Sequence, residues 1–368
     1  MYIKNLSLIN FRNYPDSTVT FSDGINVITG SNAQGKTNII EAVNYLGCGR
    51  SFRCAKDKDM ILLDKDSANI RAVIVSAERE QTLQARFFHA SRREIFINDI
   101  KIKKLNELAG RLTSVMFGPD DLDIIKDSAA VRRKLMDTCL CQLRPAYMAA
   151  LAEFNKLLKH KSRILKDYHE KPSLLDLLED FNNRLAEQSA KLIYYRSAFV
   201  DLLNRKSSNI HGEFSQKSEE LTIAYKTIGD MEHTGKKPNE LIKDVLAHQK
   251  LRYPAELKSG QVLSGAHKDD LDIKINNMPV RNFASQGQMR TAAVSIKLAE
   301  RDIHYDDRGE YPVLLLDDVL SELDSKRRNF ILEKIKNGQV IITCCDNINA
   351  PAVSGANIIR VKNGQISP

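Results

Sequence analysis

The segment from Gly30 to Thr37 constrains the fold of this chain of 368 residues more than any other feature. It reads Gly30, Ser31, Asn32, Ala33, Gln34, Gly35, Lys36 and Thr37, which is the G-x-x-x-x-G-K-[ST] pattern. A strand-like apolar run at residues 25–28 precedes it, and a helical sequence at residues 38–43 follows. In that context the glycines let backbone N–H groups and a helix N-terminus point at a phosphate. The pattern therefore predicts a nucleotide site in which Lys36 reaches the β- and γ-phosphates and the Thr37 hydroxyl binds Mg²⁺.

A pair of acidic residues follows a second apolar run, far downstream. Residues 311–316, Tyr-Pro-Val-Leu-Leu-Leu, have the character of a buried strand, and Asp317 and Asp318 come directly after it. In isolation such a pair is as often a surface turn. Beside a phosphate loop, it predicts that Asp317 holds Mg²⁺ through water and that Asp318 orients or deprotonates the attacking water.

A third element lies between these two, at residues 285–288, Ser-Gln-Gly-Gln. The residues open a helix whose apolar face contains Ala292, Ile296, Ala299 and Ile303. Ser285 is a good N-cap, which is the purely structural interpretation. Gly287 in the first turn costs up to about 1 kcal/mol relative to Ala, a loss that close approach of a phosphate would explain. With the acidic strand and residues 321–324, this constellation looks like an ABC-type ATPase head.

The composition is that of a soluble globular protein, with 42% hydrophobic and 28% charged residues. Its one bias is a net charge of +8, and residues 132–206 supply +6 of it, from 15 Lys and Arg against 9 Asp and Glu. Clustered charge of this sign favours a polyanion such as DNA, with a solvated helix face as the alternative. The candidate DNA-binding residues are Lys156, Lys159, Lys161, Arg163 and Lys166.

Apolar residues at helical spacing form two stripes in this basic region, and Pro172 separates them. The first stripe contains Leu151, Phe154, Leu158, Lys161, Leu165 and Tyr168. The second contains Leu174, Leu178, Phe181, Leu185, Gln188, Leu192, Tyr195, Phe199 and Leu202. We expect an antiparallel helical hairpin whose stripes bury each other. An intermolecular coiled coil is the alternative, and the shortness of each stripe argues against it.

Cysteine usage and the N-terminus exclude several classes of protein. The 6 cysteines include no C-x-x-C pair and have no His at zinc-ligand spacing, so we expect reduced thiols. The first residues lack the sections of a signal peptide, and no apolar run approaches the roughly 18 residues of a membrane span. The sequence predicts a cytoplasmic protein with no membrane partner.

The chain resembles the RecF family of recombination mediators, which are related to the heads of Rad50 and SMC proteins. The matching segments are residues 8–14, the phosphate loop with Asn38, residues 49–53, residues 117–122 with Arg132 and Arg133, and residues 264–270, 285–290 and 315–324. They cover nearly the whole chain in the expected order. The resemblance implies an α/β fold, a P-loop ABC-type ATPase head (Rad50/SMC-like) with an inserted helical arm subdomain.

The resemblance also implies an ATP site that is completed only when two copies meet. Residues of one subunit would hold ATP and Mg²⁺, and the segment at residues 285–288 of the other would cap the γ-phosphate. The catalytic candidates are Lys36, Asp318 and Ser285, and the metal candidates are Thr37 and Asp317. The nucleotide-binding candidates are Arg12, Gly30, Ser31, Asn32, Ala33, Gln34, Gly35, Lys36, Thr37, Asn38, Ser285, Gly287 and Gln288. For Arg12, a surface arginine after a strand is the alternative.

Functionally, the resemblance implies a weak, DNA-dependent ATPase that dimerises on ATP, with slow hydrolysis resetting the clamp. It implies binding to gapped DNA at junctions between single strand and duplex, in recombinational repair, replication and the SOS response, with RecR and RecO as partners. An SMC-like chromosome-organising head is the alternative, and an arm of only about 75 residues argues against it. A transporter ATPase subunit is disfavoured because 249 residues separate Lys36 from Ser285.

Two features depart from the usual ABC pattern. Asp318 stands where most ABC proteins carry Glu, as it does in the RecF family. The strand at residues 340–343 ends without a switch histidine, which leaves Thr343 or Asp346 as stand-ins for a γ-phosphate sensor. His267 is interpreted as a structural hydrogen-bonding residue, with a catalytic role as the alternative. The predicted domains are an N-terminal ATPase half at 1–120, a helical arm or lobe II at 121–254, and a C-terminal ATPase half at 255–368.

Overall fold

The computed structural model describes residues 1–77, 79–345 and 355–367. The strands are β1 (Tyr2–Phe11), β2 (Tyr14–Thr20), β3 (Ile25–Thr29), β4 (Ser67–Ser76), β5 (Arg79–Phe88), β6 (Glu94–Ile97), β7 (Ile100–Lys101), β8 (Ser114–Phe117), β9 (Leu221–Lys226), β10 (Asp270–Ile275), β11 (Met278–Pro279), β12 (Val313–Asp317), β13 (Val340–Cys344), β14 (Asn357–Lys362) and β15 (Gln365–Ser367). The helices are α1 (Lys36–Cys48), α2 (Ala129–Leu143), α3 (Pro145–Asp167), α4 (Leu178–Phe214), α5 (Pro238–Ser259), α6 (Val280–Phe283), α7 (Gln286–Arg308) and α8 (Ser325–Lys334). Two units result, one formed by Met1–Asp123 with Met289–Pro368 and the other by Ile124–Gln288.

A mostly parallel sheet in the first unit positions the nucleotide-site candidates. Its strand order is β15-β14-β3-β13-β12-β8, and all neighbours pair in parallel except the edge hairpin of β14 and β15. Strands β12 and β13 are buried along their whole length, as expected for a parallel sheet that is covered on both faces. Because β3, β13 and β12 are parallel neighbours, their carboxyl ends meet at one edge, where ligands bind in open α/β sheets.

A second, antiparallel sheet of the first unit has the strand order β2-β1-β4-β5-β6-β7. The predicted turn at Asn98 and Asp99 is confirmed, because both residues have positive φ (49° and 62°) between β6 and β7. The buried amide of Gln339, just before β13, accepts a hydrogen bond from Ile3 N and donates to Ile3 O and Ser22 O, each at 2.8 Å. These bonds tie β1 to the parallel sheet over the shared apolar core.

The second unit contains the predicted helical hairpin. Helices α3 and α4 pack against each other in antiparallel directions: Arg184 NH2 lies 2.7 Å from Glu153 Oε1, and the rings of His160 and Phe181 stack at 5.8 Å. A three-stranded antiparallel sheet, β11-β10-β9, belongs to the same unit. The prediction of an intrachain hairpin is therefore confirmed.

The buried carboxylate of Asp269 organises the second unit. It accepts hydrogen bonds from Arg196 NH1 at 2.6 Å, from Tyr225 Oη at 2.5 Å and from Thr227 Oγ1 at 2.7 Å. Together with the pairing of β10 along the whole of β9, these bonds group residues 255–288 with the arm. The boundary between units after the arm thus lies at residue 288, whereas the sequence predicted it at 254.

Among the described residues, no helix has the length and apolar character that crossing a membrane requires.

Candidate nucleotide site

The loop between β3 and α1 has a backbone that only glycine fits at two positions. Gly30 has φ 151°, and a Cβ there would lie 2.3 Å from Val361 O. Gly35 has φ 116°, and a Cβ there would lie 2.7 Å from the side chains of Asn13 and Tyr14. The predicted strand, loop and helix are confirmed, with α1 beginning at Lys36.

Lys36 lies against its own loop. Its Nζ donates to Gly30 O at 2.5 Å and to Ser31 O at 2.9 Å, and only 7% of the residue is exposed. Carbonyl oxygens are neutral dipoles, so they orient the ammonium group without cancelling its charge. A charged donor held at a helix N-terminus is suited to a phosphate.

Two turns of the first unit brace the loop from outside. Tyr14 Oη donates to Gly35 O at 3.0 Å, and Asn13 Nδ2 donates to Gln34 O at 2.8 Å. Asn38, predicted as a nucleotide contact, donates from Nδ2 to Asn13 Oδ1 at 2.8 Å. On the other side, the turn between β14 and β15 donates Asn363 N to Gln34 Oε1 at 2.5 Å. The loop is therefore supported by hydrogen bonds from residues that the motif does not include.

The two predicted metal ligands lie together. Thr37 Oγ1 donates to Asp317 Oδ1 at 3.0 Å, although 280 residues separate them. Hard oxygen donors of this kind, one hydroxyl and one carboxylate beside a phosphate loop, fit Mg²⁺, which binds proteins through one or two such groups and keeps several waters. Thr37 and Asp317 would hold the ion, which would supply charge stabilisation to the phosphates.

Thr343 supports the acidic pair. Its buried hydroxyl donates to Asp317 Oδ1 at 2.7 Å and accepts from Asp318 N at 3.0 Å. The Thr343 hydroxyl therefore links the side chain of Asp317 to the backbone N–H of Asp318. The other candidate sensor, Asp346, lies outside the described residues. Sequence reasoning missed this supporting contact, although the position of Thr343 at the end of the neighbouring strand is a signal that could have found it.

Asp318 has φ 54°, in the left-handed region, at the first position after β12. Its carboxylate oxygen Oδ1 accepts a hydrogen bond from Ser321 Oγ at 3.0 Å. A half-buried carboxylate next to the metal candidates retains acceptor capacity for a water molecule. Its predicted role as a base is chemically suitable and stays a prediction.

Arg12 is bound to the helix that follows the loop. Its Nε and NH2 groups donate to the two carboxylate oxygens of Glu41 at 2.8 and 2.6 Å, and NH1 donates to Asp59 O at 2.7 Å. Glu41 is fully buried and also accepts from Ser51 Oγ at 2.5 Å. Arg12 is half-buried directly after β1, and this bidentate pair fixes its guanidinium group. Its nucleotide contact stays a prediction.

The helix-opening segment belongs to the second unit. Ser285 Oγ accepts a hydrogen bond from Gln288 N at 3.2 Å, so the predicted cap is confirmed. Gln288 Oε1 accepts in return from Ser285 N at 2.8 Å, which makes the cap reciprocal. Ser285 is exposed, and the predicted apolar face of the helix is buried at Ala292, Ile296, Ala299 and Ile303.

One of the five DNA-binding candidates on α3 is wrong. Lys161 is fully buried, and its Nζ lies 2.7 Å from Glu256 Oε2, so it cannot contact a polyanion. Its place in the apolar stripe of α3 was the sequence signal for burial. The other candidates, Lys156, Lys159, Arg163 and Lys166, are exposed, and Arg163 forms an ion pair with Asp167 at 3.3 Å.

His267 is structural, as predicted. Its Nε2 lies 3.0 Å from Val262 O, and its ring is tilted against Phe154 with centroids 6.1 Å apart. Burial lowers the pKa of His267 to about 4, so the ring is neutral at physiological pH.

Sequence reasoning missed a second basic surface, in the first unit. A cavity of about 490 Å³ is lined by six cationic side chains and two carboxylates. The cations are Lys58, Arg92, Arg93, Lys101, Lys103 and Lys104. Asp57 binds Arg93 at 2.9 Å, and Glu94 binds Lys101. The two pairs of adjacent basic residues, at 92–93 and 103–104, were the available signal.

Comparisons with known proteins agree with this architecture. The family model described as the RecF/RecN/SMC N terminal domain matches residues 2–366. The "DNA replication and repair protein RecF" of Clostridium botulinum (strain Okra / Type B1) is 41% identical over 345 residues, which are 94% of this chain and 92% of that protein. The solved structure of "the recombination mediator protein RecF-ATPrS in RecFOR pathway" is 33% identical, with a TM-score of 0.93 over 100% of this chain and 97% of that chain. The corresponding RecF-ATP structure, also 33% identical, has a TM-score of 0.90 with the same coverage.

The fold and the site together define a P-loop ATPase head of the ABC type, the class that includes the heads of Rad50 and SMC proteins. The phosphate loop, the acidic strand end and the inserted helical hairpin are its parts in this chain. Within that class, the chain belongs to the RecF family.

Proposed function

We propose that this chain binds ATP with Mg²⁺ and hydrolyses it slowly as part of recombinational DNA repair. The convergence of Lys36, Thr37 and Asp317 at one edge of the parallel sheet carries the proposal. A cation held against the loop and two hard oxygen ligands 3.0 Å apart are the groups that a Mg²⁺-bound triphosphate requires. Structures of relatives described as RecF-ATP and RecF-ATPrS support the choice of nucleotide.

The ATP acts as a dimerising ligand in this proposal. Ser285, Gly287 and Gln288 of one copy would contact the γ-phosphate held by the other, while Asp318 orients the attacking water. The exposure of Ser285 at a capped helix start supports this role, because a hydroxyl that accepts one hydrogen bond can still donate its proton to a phosphate. Slow hydrolysis would then release the dimer.

DNA is the proposed polyanion, bound at junctions of single strand and duplex in gaps. The exposed cations of α3 and the basic cavity of the first unit supply positive charge for phosphates. The relatives' descriptions, which name DNA replication and repair and the RecFOR pathway, support RecR and RecO as partners. A place in the cytoplasm is part of the same proposal. An SMC-like chromosome-organising role has less support, since the hairpin helices have only 23 and 37 residues.

The test measures binding to a fluorescent gapped duplex, with and without ATP and Mg²⁺, alongside sedimentation of the protein. Wild type should dimerise and bind the gap in an ATP-dependent manner. Lys36→Ala should lose at least about tenfold in ATP affinity, as expected for a charged hydrogen bond, and both ATP-dependent responses with it.

Lys65→Ala is the matched control, because Lys65 is exposed in the same unit on a turn before β4. It should behave as wild type. Binding to gapped DNA that is independent of ATP and unchanged in Lys36→Ala would contradict the proposed function.

A further inference from the structure

The side chain of Gln288, at the start of α7, is held from both ends. Its Oε1 accepts from Ser285 N at 2.8 Å, and its Nε2 donates to Glu219 Oε1 at 2.9 Å. Its backbone N–H donates to Ser285 Oγ at 3.2 Å. The position of the Ser285 hydroxyl therefore depends on the side chain of Gln288, and that side chain depends on Glu219.

Glu219 is itself anchored by a buried histidine. The second carboxylate oxygen, Oε2, lies 3.0 Å from Nε2 of His211, which sits fully buried on the last turn of α4. Burial lowers the pKa of His211, and the hydrogen bond to Glu219 opposes that shift. A proton on Nε2 of the neutral ring satisfies Glu219. The alternative proton position, Nδ1, has no hydrogen-bond partner in the described part of the chain, and a buried N–H there would be costly.

The carboxylate determines which way round the Gln288 amide lies. An amide group can rotate by half a turn and exchange its oxygen and nitrogen. A carboxylate accepts hydrogen bonds only, so Glu219 selects the orientation with Nε2 towards itself and Oε1 towards Ser285 N. Without that acceptor, the Ser285 N–H would be the remaining group that holds the amide in this orientation, and Gln288 would lose one of its two side-chain anchors. The reciprocal cap that fixes Ser285 would then be weakened.

We propose that Glu219 is a positioning residue for the γ-phosphate-capping segment, and that His211 holds Glu219 in place. The inference rests on the proposed function, in which this segment meets the nucleotide of a second copy. Neither residue touches the phosphate loop in this scheme. Their effect should reach only the response that needs the capping segment, namely ATP-driven dimerisation.

Three variants test whether Glu219 positions the capping segment or only stabilises the fold. Glu219→Ala removes the acceptor, Glu219→Gln retains a carbonyl oxygen that can accept from Gln288, and Glu220→Ala is a matched control on the neighbouring exposed carboxylate. Glu219→Ala should keep ATP binding to the monomer within about twofold of wild type and weaken ATP-dependent dimerisation by about tenfold or more. Glu219→Gln should recover most of the dimerisation, and Glu220→Ala should match wild type.

Mixing two defective proteins tests whether Glu219 acts on the opposite nucleotide. Lys36→Ala has a defective phosphate loop and an intact capping segment, whereas Glu219→Ala has the reverse. Their heterodimer contains one complete composite site, so sedimentation with ATP should detect mixed dimers where neither protein alone dimerises well. If Glu219 acted on its own phosphate loop or on the fold, no site in the mixture would be complete.

The mixture of Lys36→Ala with Ser285→Arg distinguishes the two proposals. Mixed dimers in that control, but none with Glu219→Ala, would overturn the role of Glu219 alone. Wild-type dimerisation by Glu219→Ala would do the same. No mixed dimers in either experiment, together with a wild type that does not dimerise on ATP, would overturn the proposed function and this inference with it.

Discussion

Lys36 and Lys161 are both buried lysines, one in each unit, and the groups that hold them differ. Lys36 donates to Gly30 O and Ser31 O, two carbonyls of its own loop. Lys161 pairs with the carboxylate of Glu256, which lies in α5, a later helix of the same unit. Carbonyl dipoles leave the charge of Lys36 available to an anion, whereas Glu256 neutralises that of Lys161.

The difference shows that the existing partners of a basic residue decide whether it is a candidate for anion binding. Neutral partners leave its charge available, and a carboxylate partner does not. On α3, the positive charge that can face a polyanion belongs to the exposed Lys156, Lys159, Arg163 and Lys166. Burial lowers the pKa of Lys161, and the attraction of Glu256 opposes this shift. Lys161 therefore contributes to the packing of α3 against α5 and not to the basic surface.

The largest expected effect is on the stability of the second unit. Lys161→Ala leaves the buried Glu256 carboxylate without its cationic partner, with only the Leu263 N–H still donating to it at 2.8 Å, so we expect the free energy of unfolding to fall by about 3–5 kcal/mol. The shift of the urea midpoint measures this loss, for instance from the fluorescence of the tyrosines, since the chain has no Trp.

Lys159→Ala, on the exposed face of the same helix, is the control and should change stability by less than about 0.5 kcal/mol. The double variant Lys161→Met with Glu256→Leu removes both charges and should recover most of the loss. Equal effects of Lys161→Ala and Lys159→Ala would show that the buried pair has no special energetic role.

Lys36 has partners in its own loop and Lys161 has a partner far away in the sequence, and this distinction explains how much of the structure the sequence could predict. The phosphate loop, the turn at Asn98 and Asp99 and the two helical stripes each depend on contiguous residues, and the structure contains them all. The pairing of Thr37 with Asp317 was also predictable, because parallel strands bring their carboxyl ends to one edge.

Contacts between side chains from segments that no motif or strand end links could not be predicted. The partners of Lys161 and Gln288, which are Glu256 and Glu219, have no fixed spacing from them in sequence. The boundary at residue 288 has the same cause, because it depends on the pairing of β10 with β9. A single sequence gives the periodicity of an element but not the identity of the element that packs against it.

An intermediate effect is expected at Thr343, which tests whether the metal candidates depend on a support outside the motif. Thr343→Val keeps the shape but removes the hydroxyl, leaving the Asp318 N–H without its acceptor and Asp317 Oδ1 with Thr37 as its remaining donor. We expect a loss of about 1–3 kcal/mol in the free energy of unfolding. The stabilisation of the protein by ATP with Mg²⁺, measured by thermal unfolding, should also decrease.

Thr343→Ser is the matched control, because it keeps the hydroxyl and removes only a methyl group. It should retain most of the stability and of the response to ATP with Mg²⁺. If the Ser and Val variants behave alike, the hydroxyl does not support the acidic pair. The phosphate loop and the acidic strand would then keep their arrangement without it.

The smallest effect on stability, and the sharpest test of the basic surface, is expected for Lys156→Ala combined with Lys159→Ala. Both residues are exposed, so the free energy of unfolding should change by less than about 0.5 kcal/mol. If both contact duplex phosphates, the slope of log K against log salt concentration should become shallower by about 2, since each contact contributes about 0.9. Lys103→Ala with Lys104→Ala, in the cavity of the first unit, is the matched pair. A shallower slope for that pair alone would move the DNA contact from α3 to the first unit, and an unchanged slope for α3 would make its lysines a solvated helix face.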